Sequence, residues 1–382
     1  MKRAQNGMAP APLLWLLATL QFLCLLDFLL AMPLAADLAQ LWRLSSMEIG
    51  VSGAAATLGG LIGGLFASRY LDDDAPLPVI AGALLLLGVS NLAAAFSSGW
   101  LEFTAWRVLS GVAAAPAAAA GMACLFAHSS PAARAQNIAR VMLGTSAATL
   151  GGIPLMLEIS VRWHWSVCFL LLGALCLVLA AICWGLRKQR WGTDQEGAET
   201  PPPAMPAAPA QHSAQQSAYN TPLLHIPRVR AALLLQVISQ FSAFLLIPQL
   251  AHWLVQHLGF AREHLSTLYL AGGLCALLVV QGLSRLADTL GVRLSLGIGT
   301  LLYCSGCCLL LLAPASPPWL IGALFVCFMA GNAGRNISLA SWCSQAPPPA
   351  MRGRYMALQG MAQDVAIAAG ALLSGSLFAL AG

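Results

Sequence analysis

Charge is what this sequence has least of: Asp, Glu, Lys and Arg supply 9% of its 382 residues, against 59% hydrophobic residues. So little polar surface cannot cover a soluble globule of this length, which leaves an integral membrane protein. Alternation of apolar and polar residues with a period of two is also missing, and that excludes a transmembrane β-barrel. No A-x-A-like site follows the first apolar run, so that run is expected to stay in the mature chain. The phosphate-cradling Gly-x-x-x-x-Gly-Lys-Ser/Thr pattern is absent, which excludes ATP hydrolysis through that motif. Loops show no grouping of nucleophile, base and oxyanion donor and no pair of metal ligands, so neither an enzyme nor a cofactor is expected. The net charge of +5 is scattered along the chain rather than gathered on one soluble face, so no nucleic-acid partner is expected.

What is present is a series of apolar runs. Hydropathy predicts eleven helical spans, at roughly 12–36, 48–68, 76–96, 99–127, 138–159, 165–186, 230–255, 265–284, 293–313, 318–342 and 355–381. The chain is thus expected to be all-α and polytopic. Lys and Arg concentrate in the loops on the side of the N-terminus, leaving only Arg43, Arg162 and Arg262 on the other side, which predicts a cytoplasmic N-terminus in a cell (inner) membrane. Ten of the eleven cysteines fall within predicted spans and Cys343 lies one residue past the tenth, and all read as small apolar packing residues.

A Pro/Ala/Gln-rich polar segment separates the sixth span from the seventh. It predicts a six-helix half at 1–190, a disordered cytoplasmic linker at 191–228 and a half with five predicted helices at 229–382. The halves repeat weakly: Pro33 to Glu48 has the spacing of Pro248 to Glu263, "SRYLD" from Ser68 matches "SRLAD" from Ser284, and "WLEF" from Trp100 matches "WLIG" from Trp319. Repeated halves of this kind place a substrate site near the bilayer midplane, at the interface between them.

Two charges stand out inside the spans. Asp27 interrupts "QFLCLLDFLLAMPL", at a cost of about 2.5–3.5 kcal/mol on insertion scales. Arg107 lies at similar depth in the fourth span and is the expected partner. Removal from water favours a neutral acid, a nearby guanidinium favours the carboxylate, and such a pair can couple a proton to movement. Arg335 and Asp364 lie toward the cytoplasmic ends of their spans, where they are expected either to clamp each other or to join a substrate site. Gln21, Gln236, Gln240 and Phe241 are the further cavity candidates. Glu102 and Glu158 sit near span ends, where solvation is cheap, and read as surface residues.

Five motifs follow one another along the chain: the Leu-Asp-Phe to Met-Pro-Leu first span, "WRVLSGVAAA" with Arg107 and Gly111, "GTSAATLGGIPL", "SRLADTLGVR" and "PPPAMRGRYMAL". In their number and order they resemble the major facilitator superfamily, and within it the drug:proton antiporter and arabinose-efflux-permease-like branch. The resemblance implies two pseudo-symmetric helical halves, proton coupling by Asp27 with Arg107, and gating by Gly151, Gly152 and Pro154 of the fifth span. It also implies gating roles for Arg69, Gly111, Asp288, Gly291 and Arg293. The loop after the second span departs from the family pattern, with Ser68, Leu71 and Asp72 where Asp, Gly and a basic residue are usual, keeping only Gly64 and Arg69. The family's twelfth helix has no counterpart among the eleven spans, so the sequence reads as shortened or as covered by a second subunit there. The expected function is a proton-driven exporter of a small organic molecule or drug, acting as a monomer by alternating access, with small-molecule substrate, protons and lipid as its partners. An importer using the same motion, or a non-transporting sensor, is the alternative.

Overall fold

The structure, a computed structural model, describes residues 9–70, 76–130, 133–187, 223–312, 316–348 and 351–381. Among these there are eleven helical segments long and apolar enough to cross a membrane, matching the predicted spans. The first half contains α1 (Ala11–Leu30), α2 (Ala35–Trp42), α3 (Ser46–Tyr70), α4 (Pro76–Ala95), α5 (Trp100–Ala127), α6 (Arg134–Ala147), α7 (Ile153–Arg162) and α8 (Trp165–Leu186). The second contains α9 (Pro227–Phe244), α10 (Ile247–Gln256), α11 (Leu265–Leu290), α12 (Val292–Leu312), α13 (Pro318–Ser344) and α14 (Arg352–Ala381). Most of the expected linker, 191–222, lies outside the described residues.

Three spans are broken, each next to a proline that cannot donate a backbone hydrogen bond. The first divides into α1 and α2 around Pro33, and the seventh into α9 and α10, with Pro248 in the first turn of α10. The repeated spacing of these prolines is therefore a repeated break. In the fifth span the kink expected at Pro154 takes the form of a π-helical turn, Ala148–Gly152, between α6 and α7. The start of α3 is fixed by a capping box: Ser45 N donates to Glu48 Oε2 at 2.8 Å, and Glu48 N donates back to Ser45 Oγ at 3.4 Å.

Within each half the helices pack through small residues. A Cβ on Gly111 of α5 would lie 1.9 Å from the Ala56 carbonyl oxygen of α3, and one on Gly59 would lie 1.9 Å from that of Val108. The two backbones therefore touch, as membrane helices do where glycine allows it. In the second half, α12 and α13 meet the same way at Gly306 and Gly331.

The end of the bundle opposite the N-terminus, here the far end, is where the halves close on one another. There α2 and α3 pack against α10, α7 against α11, and α3 against α14, with Gly375 seated on Met47 and Gly53 on Pro248. The opposite end, which carries residue 11, is the near end.

The α3–α5 contact leaves no room for a side chain. Gly111→Val should destabilise the protein by about 1–3 kcal/mol or more, the range for overpacking a filled interface, seen as reduced yield and earlier thermal unfolding of the detergent-purified chain. Unfolding at the wild-type temperature would show that this contact gives way freely.

Candidate functional site

Asp27 and Arg107 meet. The guanidinium Nη1 lies 2.6 Å from Asp27 Oδ1, and each residue is 1% exposed. Arg107 Nη2 donates to the backbone carbonyl of Asp27, so the arginine grips both the side chain and the main chain of α1. Two further groups complete the carboxylate's surroundings: Asn91 Nδ2 of α4 donates to Oδ1 at 2.8 Å, and Ser110 Oγ of α5 donates to Oδ2 at 3.2 Å. A buried ion pair is tolerable only when donors of this kind satisfy its remaining lone pairs. Between the pair and the far end lies an aromatic plug, with Trp42 5.6 Å from Phe103, Phe103 5.3 Å from Phe169, and Arg107 over the Phe169 ring at 5.8 Å. It keeps water away from one side of the pair.

On the other side lies the central space. A cavity of about 290 Å³ is walled by Gln21, Asp27, Thr57, Gly111 and, from the second half, Asp364. A second cavity of about 420 Å³ is mostly apolar, bounded by Leu29, Leu150, Tyr269, Phe325 and Met329, with Asn332 and Asn336 as its amides.

Arg335 and Asp364 do not clamp each other. Arg335 is 6% exposed and donates to Ser242 Oγ at 2.9 Å, to the Ser239 carbonyl at 2.8 Å and to Asn332 Oδ1 at 3.1 Å, with its guanidinium 3.7 Å from the centre of the Tyr303 ring. Its partners are therefore on α9, α12 and its own helix, while Asp364 faces the first half across the smaller cavity. Equal depth in two spans does not fix the faces that the side chains occupy. Gln236 is buried on α9 beside Cys343, whose Sγ lies 3.9 Å from Gln236 Oε1, and Gln240 and Phe241 are half-buried; none of the three lines either cavity.

Of the expected gating residues, Gly152 rests on Leu26 and Phe22 of α1, Pro154 is buried, and Gly151 is exposed with open space beside it. The π-helical turn containing both glycines packs against α11 of the other half. Gly291 ends α11 with φ of +97°, a conformation suited to glycine, and Arg293 is exposed just beyond it. The side chains of Arg69 and Asp288 lie outside the described residues.

The far end holds a polar lock that was not expected. Arg262 Nε donates to Asp37 Oδ1 at 2.5 Å and its Nη2 donates to Oδ2, a two-pronged ion pair between the halves, and Ser160 Oγ donates to the same carboxylate at 2.8 Å. Ser266 Oγ donates to Glu158 Oε2 at 2.9 Å, and Gln249 Nε2 donates to the Ser46 carbonyl at 2.6 Å. Glu158 is therefore no mere surface residue: it joins α7 to α11.

A family model described as Major Facilitator Superfamily matches residues 17–379. Solved structures of similar fold include a bacterial homologue of the human lysosomal transporter Spinster, inward-facing and unoccupied, at 14% identity and TM-score 0.73, covering 96% of this chain and 82% of that one. The xylose transporter XylE from E. coli, inward open, aligns at 14% identity and TM-score 0.70 over 97% of this chain and 94% of its own. The nucleoside transporter NupG aligns at 14% identity and TM-score 0.70, over 96% and 91%. At these identities the likeness is one of fold. No curated protein sequence matches the chain.

Removing one member of the lock should loosen the far end. Arg262→Ala is expected to favour opening there by about 1–2 kcal/mol, a five- to thirtyfold change in the ratio of states. A cysteine placed at Leu29 would then react faster with a thiol reagent supplied from the far side. An unchanged rate would show that the apolar contacts alone hold this end shut.

Proposed function

The chain belongs to the major facilitator superfamily, and on that premise we propose that it is a secondary active transporter, a proton-coupled exporter of a small organic molecule from the cytoplasm by alternating access. Its N-terminus would lie in the cytoplasm of an inner-membrane protein. The observation that carries this reading is the Asp27–Arg107 pair, enclosed in the first half and bordering a cavity whose far end is shut.

With the far end closed, cargo would enter from the side of the N-terminus, where an exporter loads. Arg107, Asn91 and Ser110 then engage both oxygens of the Asp27 side chain. The helix that carries Asp27 continues through a short turn into α2, and α2 packs on α10 of the opposite half. When the far end parts, α2 is released from α10 and the end of α1 is free to shift. Because Arg107 is bonded to the main chain of Asp27 as well as to its carboxylate, such a shift disturbs both bonds together. A carboxylate losing its guanidinium in a poorly hydrated site favours taking a proton. Proton uptake from the far side, followed by closure, inward release and re-pairing with Arg107, completes an exchange cycle. Arg69, Asp288, Gly291 and Arg293 are assigned to its near-end closure, and the π-helical turn with Gly151, Gly152 and Pro154 to the hinge.

Purified protein in liposomes tests this. Wild type should drive substrate uphill against an imposed proton gradient, whereas Asp27→Asn, correctly inserted, should lose uphill transport and still bind ligand. Reversing the polarity of the gradient distinguishes antiport from symport. Full proton-driven transport by a well-folded Asp27→Asn protein would sink the reading.

A further inference from the structure

Among the described residues, those lining the central space carry charge of one sign only. Asp27 and Asp364 line the smaller cavity, and neither Lys, Arg nor His lines it or the larger one. Both intramembrane arginines are turned away, Arg107 onto Asp27 and Arg335 onto Ser239, Ser242 and Asn332. The two aspartates also differ from each other. Asp27 is engaged by Arg107, Asn91 and Ser110, while Asp364, half-buried on α14, has neither an ion pair nor a hydrogen bond among the described residues.

A second observation points into the same space. Thr57 of α3 lines this cavity, is 4% exposed, and its Oγ1 has no hydrogen-bond partner. An orphaned hydroxyl at that burial costs free energy unless something meets it. Gln21 and the Phe28 ring complete the set.

We infer that this cavity binds a protonated organic amine that still carries N–H donors, with Asp364 as its counter-ion. The carboxylate balances the ammonium charge, the oxygens of Thr57 and Gln21 accept its remaining N–H bonds, and the face of Phe28 adds a cation–π contact. An anion meets no cation among the described residues of the wall. A quaternary ammonium has the charge but leaves Thr57 unsatisfied. The apolar body of the amine extends into the larger cavity, whose wall continues along the same two helical segments: Phe28 and Thr145 line the smaller space, Leu29 and Ser146 the larger. This assignment names the substrate class for the transport reading above. It concerns binding alone, so it is tested without any gradient.

The test uses detergent-purified full-length protein and three ligands with nearly the same body: 2-phenylethylammonium, its N,N,N-trimethylated counterpart and 3-phenylpropionate. Binding is read by thermal shift and by equilibrium dialysis. The primary ammonium should bind best and the carboxylate not at all, and Asp364→Asn should weaken ammonium binding about tenfold or more, with Asp364→Glu restoring part of it. Thr57→Val should narrow the gap between the primary and the trimethylated ligand. Equal affinity in wild type and a folded Asp364→Asn protein, preference for the carboxylate, or no binding of any of the three would overturn the assignment. Equal binding of the primary and trimethylated ligands would overturn the requirement for N–H donors. Failure of the wild type to move substrate uphill on a proton gradient, with amine binding intact, would count against proton coupling and leave this site standing.

Discussion

A carboxylate and a guanidinium, each almost wholly removed from water, meet at the centre of the first half, and much of that half is arranged around them. Desolvating two ions is expensive, and attraction between them offsets the cost only where good geometry and further hydrogen bonds are supplied. Here α4 supplies Asn91, α5 supplies Ser110, and the backbone of α1 supplies a carbonyl. The satisfaction is incomplete, since Arg107 Nε and Asn91 Oδ1 remain without partners. Apolar residues of similar volume would hold three helices together as well or better. The pair therefore makes more sense as chemistry than as an adhesive.

The second half has the same architecture without the same chemistry. The offset that places Pro33 on Pro248 also places Asp27 on Ser242. Ser242 is a partner of Arg335, which comes from the fourth span of its half as Arg107 does from the fourth span of the first. Each half thus has an arginine reaching back to its first span, gripping a side chain and a main-chain carbonyl there. Only one of the two grips a carboxylate. In the second half the guanidinium is met instead by hydroxyl, carbonyl and amide oxygens and by the face of Tyr303, none of which carries a counter-charge. The acidic residue of that half, Asp364, sits apart on α14 and faces the cavity, so the paired and the unpaired aspartate belong to opposite sides of the central space.

How much of this could be read from the sequence follows from which properties depend on one helix alone. The spans depend on local hydropathy, and their positions agree. The Asp27–Arg107 meeting follows from depth, because in this case each residue also occupies the facing side of its helix. The same counting applied to Arg335 and Asp364 fails, since depth says nothing about rotation around the helix axis. Asn91 and Ser110 give no signal at all: a single amide or hydroxyl in an apolar run is common, and its value appears only beside a charge. The lock of Asp37, Ser160, Glu158 and Arg262 was illegible for another reason. Charges at span ends are cheaply solvated anywhere, and their pairing depends on how two halves dock across a long separation in sequence. The capping box at Ser45 and Glu48, by contrast, was plain in the sequence to anyone looking for Ser-x-x-Glu.

The two ion pairs differ in strength in the way alternating access requires. Asp27 and Arg107 are both 1% exposed, so separating them leaves uncompensated charge in a poorly solvated place. Asp37 and Arg262 are 21% and 18% exposed, so water can take over their hydrogen bonds as they part. A pair with that access to solvent contributes on the order of 1 kcal/mol, and a few such links give a closure of a few kcal/mol. That is comparable to the work available from a single charge crossing a membrane potential, about 2.3 kcal/mol per 100 mV. A far end closed by buried pairs of the first kind would not reopen on that energy, and one closed by apolar contact alone would lack a defined docked position. An arrangement with the weaker pair at the boundary between the halves and the stronger pair inside one half suits a far end that must open and close while the centre stays ordered.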